Sequence, residues 1–186
     1  MPTENRPATL YRLDTDGSIT TVLDNVGLSN GMGFTPDRTR MYYTDSVARK
    51  IYLFDYDLET GDITNQRVFV ETEGEGVPDG MTVDADGYVW SASAGGSALN
   101  RYTPDGAKDL SVAFPAKMVS SCAFGGRDMD ELYVTTIGGN DRAEQGPGAG
   151  GQKGDVGDRA GVAVEHTDFR LFGKIPQPGR EVEAAG

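Results

Sequence analysis

Hydrophobic and polar positions alternate along this chain in short runs, and no window keeps a helical stripe bounded by caps. Tyr11 to Leu13, Ile19 to Leu23, Met41 to Thr44, Ile51 to Phe54 and Arg67 to Glu71 read as strands. So do Met81 to Val83, Tyr88 to Ala92, Leu99 to Tyr102 and Leu132 to Thr135. They are rich in Tyr, Val, Ile, Phe and Thr, and turn dipeptides bound them: Asp16-Gly17, Thr60-Gly61, Asp86-Gly87 and Asp105-Gly106. The pattern predicts an all-β protein.

The order of these runs repeats. Asn30-Gly31-Met32-Gly33-Phe34 aligns with Asp79-Gly80-Met81-Thr82-Val83 and with Ser120-Ser121-Cys122-Ala123-Phe124. Each is followed by a polar turn and an aromatic-bearing strand: Met41-Tyr42-Tyr43-Thr44, Tyr88-Val89-Trp90-Ser91 and Leu132-Tyr133-Val134-Thr135. The first positions lie 49 and 41 residues apart, and repeats of about 40–50 residues built from short strands are the mark of β-propeller blades. A hairpin from Tyr11 to Thr20 precedes the first unit. One blade buries its faces only against neighbours, and closure takes about 4–8 of them. Three units and a leading hairpin are counted by Thr136, so the expectation is an incomplete propeller over residues 1–136. Positions 138–161 hold nine Gly and one large aliphatic, Val156. Too little burial is available there to offset the entropy of ordering, so 137–161 is expected to be a flexible segment. Residues 162–186 are expected to be a divergent tail with room for one strand.

Composition narrows the partners. Of the 186 residues, 29 are acidic and 17 basic, for a formal charge of -12. That balance argues against nucleic acid and anionic membranes, which need a basic patch. The acidic, Lys-poor surface would suit a high-salt interior, where self-repulsion is screened. No apolar run approaches the roughly 20 residues of a membrane-spanning helix, and Met1 to Arg6 lacks a signal-peptide core. The single Cys122 excludes an internal disulfide framework, so a reduced, cytoplasmic setting is expected.

In a propeller the innermost strand of each blade lines the channel, so Asn30, Asp79 and Ser120 would converge near the axis. Asn30 and Asp79 carry oxygens suited to a hard cation such as calcium, and such an ion could polarise a carbonyl. Asn-Gly and Asp-Gly are also common tight-turn dipeptides, and on the residues alone turn chemistry is the stronger reading. Ser120 reads as an ordinary position. Gly27-Leu28-Ser29-Asn30-Gly31 matches a nucleophile elbow in letters, but a strand and a Pro-Asp turn follow where a helix is needed. Asp14-x-Asp16-Gly17 and Asp84-x-Asp86-Gly87 read as hairpin turns rather than calcium loops. Structural roles are expected for His166 and Cys122, and blade-core roles for Tyr42, Tyr43 and Trp90.

Several stretches resemble the senescence marker protein/gluconolactonase/regucalcin family. They include Leu28-Ser29-Asn30-Gly31-Met32, Tyr42-Tyr43-x-Asp45-Ser46, Val77-Pro78-Asp79-Gly80-Met81, Ser121-Cys122-Ala123-Phe124-Gly125-Gly126 and Ala143-Glu144-Gln145. The resemblance runs in order over about 150 residues. It implies a six-bladed propeller and a hydrolase acting on sugar lactones with one divalent ion, Ca²⁺ or Zn²⁺. On it, Asn30 and Asp79 fall on metal ligands, Asp79 also on the base for the attacking water, and Glu4 on a substrate-contacting Glu. The family's third ligand, a Glu near its N-terminus, and its substrate-binding Arg and Asn have no counterpart here, which implies impaired catalysis. Two alternatives follow: a non-catalytic propeller fragment acting through self-association at its open edges or through a partner, and a truncated reading of a longer lactonase.

Overall fold

The computed structural model describes residues 7–138 and the strand Val162–Val164. Among them every regular element is a strand: β1 (Ala8–Leu13), β2 (Ile19–Val26), β3 (Ser29–Phe34), β4 (Arg40–Asp45), β5 (Lys50–Tyr56), β6 (Ile63–Glu71) and β7 (Val77–Val83). Then come β8 (Val89–Ala94), β9 (Ala98–Tyr102), β10 (Lys108–Ala113), β11 (Val119–Gly125), β12 (Glu131–Thr136) and β13 (Val162–Val164). Glu4, His166 and the Gly-rich segment from 139 to 161 lie outside the described residues, as does the tail beyond Val164.

Four antiparallel sheets follow one another in chain order: the hairpin β1-β2, the four-stranded β3-β4-β5-β6 and β7-β8-β9-β10, and β11-β12-β13. This is a propeller arrangement, with β3, β7 and β11 each at the edge of its sheet. Three apolar seams join the sheets. Val26, Met41, Tyr43 and Phe54 form the first. Tyr42, Ile51, Leu53, Val70, Met81, Val89 and Tyr102 form the second. Trp90, Leu99, Val119, Cys122, Leu132 and Val134 are among those of the third. Because β4 and β8 are covered on both faces, successive residues serve opposite seams, which is why Met41-Tyr42-Tyr43-Thr44 is an unbroken buried run.

Two buried carboxylates hold the connections. Asp45 accepts backbone N–H bonds from Gly27, Leu28, Val47 and Ala48 at 2.8–3.1 Å, tying the entry to β3 to the turn after β4. Burial pushes its carboxyl up, and those amides more than offset the push, leaving it below the usual range. Asp84, in the β7–β8 turn, accepts the Trp90 indole N–H at 3.0 Å and the Tyr88 amide at 2.9 Å. It also pairs with Arg101 at 3.1 Å, and that guanidinium lies 3.8 Å above the Tyr88 ring. The Asp-x-Asp-Gly turns are hairpin turns, with Gly17 and Gly87 at positive φ. The Cys122 thiol is buried, pushed up to about 12 by desolvation, and faces the Trp90 carbonyl at 3.5 Å.

The edge strands meet backbone to backbone. A Cβ on Gly31 of β3 would sit 2.6 Å from the Asp79 carbonyl and 2.6 Å from the Met81 nitrogen of β7. One on Gly80 would sit 2.7 Å from the Ser120 carbonyl of β11 and collide with the Ser121 hydroxyl.

Two substitutions test these contacts. Gly31→Ala must push β3 from β7 and should cost about 1–3 kcal/mol, read as a lower urea midpoint. Asp84→Ala removes the acceptor of the Trp90 indole N–H and one of the two carboxylates paired with Arg101, and should cost about 1–3 kcal/mol in the same measurement.

Candidate active site

The residues that open each repeat lie in strands, and each strand slips register there. β3 pairs with β4 as Ser29↔Asp45 and then Met32↔Tyr43, so β3 carries one extra residue. β7 does the same against β8 between Pro78↔Ser93 and Met81↔Ser91. β11 does so against β12 between Val119↔Thr136 and Ser121↔Thr135. Three bulges at matching positions thus contain Asn30-Gly31, Asp79-Gly80 and Ser120. A bulge re-aims a side chain out of the sheet's alternation.

The turn reading of Asn-Gly and Asp-Gly is therefore overturned. Gly31 and Gly80 are not among the positive-φ glycines that the turns use. They are glycines because a neighbouring backbone occupies the space of a side chain.

Hydrogen bonding orients Asn30. The Ser46 hydroxyl donates to the Pro78 carbonyl at 2.6 Å, so its oxygen is left to accept from Asn30 Nδ2 at 3.2 Å. That assigns the amide, since a carbonyl oxygen in place of Nδ2 would find no proton on Ser46. The chain Asn30–Ser46–Pro78 links β3 to the strand carrying Asp79. Asp79 is half-buried, and burial raises its carboxyl above the usual range; the Asn30 side chain and the Gly80 amide draw it back in part. Ser120 shares a hydrogen bond with Thr135 at 2.9 Å, in line with an ordinary position. The serine of the elbow-like run, Ser29, is bonded to the Tyr43 hydroxyl and leads into β3, so the strand–turn–helix context is absent.

The donor chemistry bears on a cation. Asp79 and the Asn30 carbonyl are hard oxygens of the kind calcium takes, and zinc more often takes nitrogen or sulfur. They fit a divalent ion as part of its shell. Calcium commonly takes about 6–8 oxygens, and among the described residues no group of three or more His, Cys, Asp or Glu could hold a metal. Sequence reasoning missed Ser46 and Asp45 as the residues that position this pair. Their only signal was the run Tyr42-Tyr43-Thr44-Asp45-Ser46 itself.

Comparison with known proteins bears on the fold and the family. The pentonolactonase XacC of Haloferax volcanii is 47% identical over 87% of this chain and 55% of its own length. The crystal structure of regucalcin from Agrobacterium tumefaciens, a calcium-binding protein, superposes with a TM-score of 0.65 at 31% identity, over 68% of this chain and 43% of that one. A gluconolactonase from Xanthomonas campestris gives 0.61 at 28%, over 73% and 44%. The chain spans about half the length of these relatives. Residues 1–138 match the family described as the SMP-30/Gluconolactonase/LRE-like region, and the chain belongs to that family.

Proposed function

We propose that this chain hydrolyses sugar lactones, with Asp79 as the base for the attacking water. The observation that carries the reading is a desolvated carboxylate of raised pKa, presented by a bulge beside a second, hydrogen-bond-oriented oxygen donor. A base works best when its pKa lies near the working pH, and burial moves Asp79 in that direction. Its relatives' names point to the same substrate class.

In this reading a water proton passes to Asp79 as the water oxygen bonds to the lactone carbonyl carbon. The ring C–O bond then breaks, and the departing ring oxygen takes that proton from Asp79, which returns to its carboxylate form. A divalent ion, calcium by donor type, would be held by Asp79 and Asn30 and would supply Lewis-acid polarisation of the carbonyl. Ser46 keeps the Asn30 carbonyl oxygen available, and Gly31 and Gly80 let the strands approach. Glu4 would contact substrate hydroxyls.

Asp79→Asn should lower the rate of lactone hydrolysis by about 10²–10⁴-fold; an unchanged rate rejects the reading. The same variant should raise the thermal midpoint at pH 7 in chelator. The sign follows from the raised pKa: the fold favours the protonated carboxyl, a stabilisation present at low pH and lost as pH rises through the folded-state value. A neutral amide removes the cost of burying the anion. Asn30→Ala should move the acidic limb of kcat/KM to higher pH, because the side chain that draws the Asp79 carboxyl down is gone.

A further inference from the structure

The second seam contains a cavity of about 390 Å³, at the lower end of ligand-pocket sizes, and neither Asn30 nor Asp79 lines it. Its origin lies in a difference between the two four-stranded sheets. In the first, the cross-strand pair Tyr43↔Tyr52 faces the preceding seam and Tyr43 is buried in it. Registers aligned on Met32↔Tyr43 and Met81↔Ser91 put Ser91↔Asn100 at the same place in the second sheet. Two tyrosines are replaced by a serine and an asparagine, and the space they would fill stays open.

Several buried or half-buried polar side chains line the cavity. Ser91 is 2% exposed, and its hydroxyl reaches only the Ala92 carbonyl, at 3.5 Å. Tyr102 is 5% exposed, and its hydroxyl has no hydrogen-bond partner among the described residues. Asn100 accepts from Ser111 at 2.9 Å through Oδ1, leaving its amide N–H groups available. Phe69 adds an aromatic wall, held against Tyr42 with ring centroids 4.7 Å apart. These groups keep hydrogen-bonding capacity that a molecule in the cavity could use. At the rim stand Glu71, Glu73 and Lys108, and Glu71 pairs with Lys50 at 3.7 Å, so no excess of positive charge attracts an anion.

We propose that this cavity is a second binding site, separate from Asp79, for a neutral polyhydroxylated molecule of pentose or hexose size. The Ser91 and Tyr102 hydroxyls and the Asn100 amide hydrogen-bond its hydroxyl groups, and Phe69 covers its C–H face.

The test is saturation-transfer NMR on the full chain with D-xylose, D-glucose and, as the anionic comparison, D-gluconate. Saturable binding of a neutral sugar is expected, stronger than that of gluconate, and retained in Asp79→Ala. Ser91→Tyr, which restores the side chain of the first sheet, should abolish it. Tyr102→Phe removes one hydrogen bond with little change of shape and should weaken it about fivefold, so the test stands if Ser91→Tyr fails to fold. No saturable binding by the wild type overturns the proposal and leaves a water-filled cavity. Binding lost in Asp79→Ala but untouched by Tyr102→Phe also overturns it, by placing the sugar at Asp79.

Discussion

Contact between the backbones of β3, β7 and β11, made at Gly31 and Gly80, sets the geometry on which the site depends. A sheet edge ordinarily keeps its distance from its neighbour by the length of side chains. Here that spacing is removed at two places, and the bulges at the same places turn Asn30 and Asp79 out of the pleat. Approach and aim come from the same dipeptides: the glycine lets the strand in, and the residue before it is presented.

The surroundings of the pair are built less for stability than for position. Ser46 uses its one proton on the Pro78 carbonyl and its oxygen on Asn30, so a nearly fully buried hydroxyl joins the two strands. Asp45, its neighbour, gathers four amides from two connections and keeps that corner fixed. Among the carboxylates of the described residues with a clear shift, Asp79 is the one that burial leaves raised. A desolvated carboxylate at a site is a common cost of function.

The second strands of the two four-stranded sheets were legible in the sequence because both their faces are buried, so Met41 to Thr44 and Val89 to Ala92 carry the strongest apolar runs. The inner strands were legible only through their repetition. Taken singly, Asn30-Gly31 and Asp79-Gly80 have the letters of turns, and nothing local distinguishes a glycine at positive φ from one pressed by a neighbouring backbone. β10 escaped notice because Lys108-Asp109-Leu110-Ser111 is half polar, as an outer strand can be. The hub at Asp84 was read correctly as a turn, but its bonds to Trp90 and Arg101 depend on partners 6 and 17 residues away. The cavity at Ser91 was beyond reach, since it requires the register of two sheets to be compared.

Cys122 lies in the third seam, between the sheet that carries Asp79 and the one that carries Ser120. Its thiol is shielded and far from ionised at neutral pH, so alkylating reagents and oxidants meet no thiolate while the two sheets stay together. Reactivity appears only when they part. As the one cysteine of the chain, it makes the protein its own clock for blade separation: the speed of chemical capture at this sulfur counts how often these two sheets come apart.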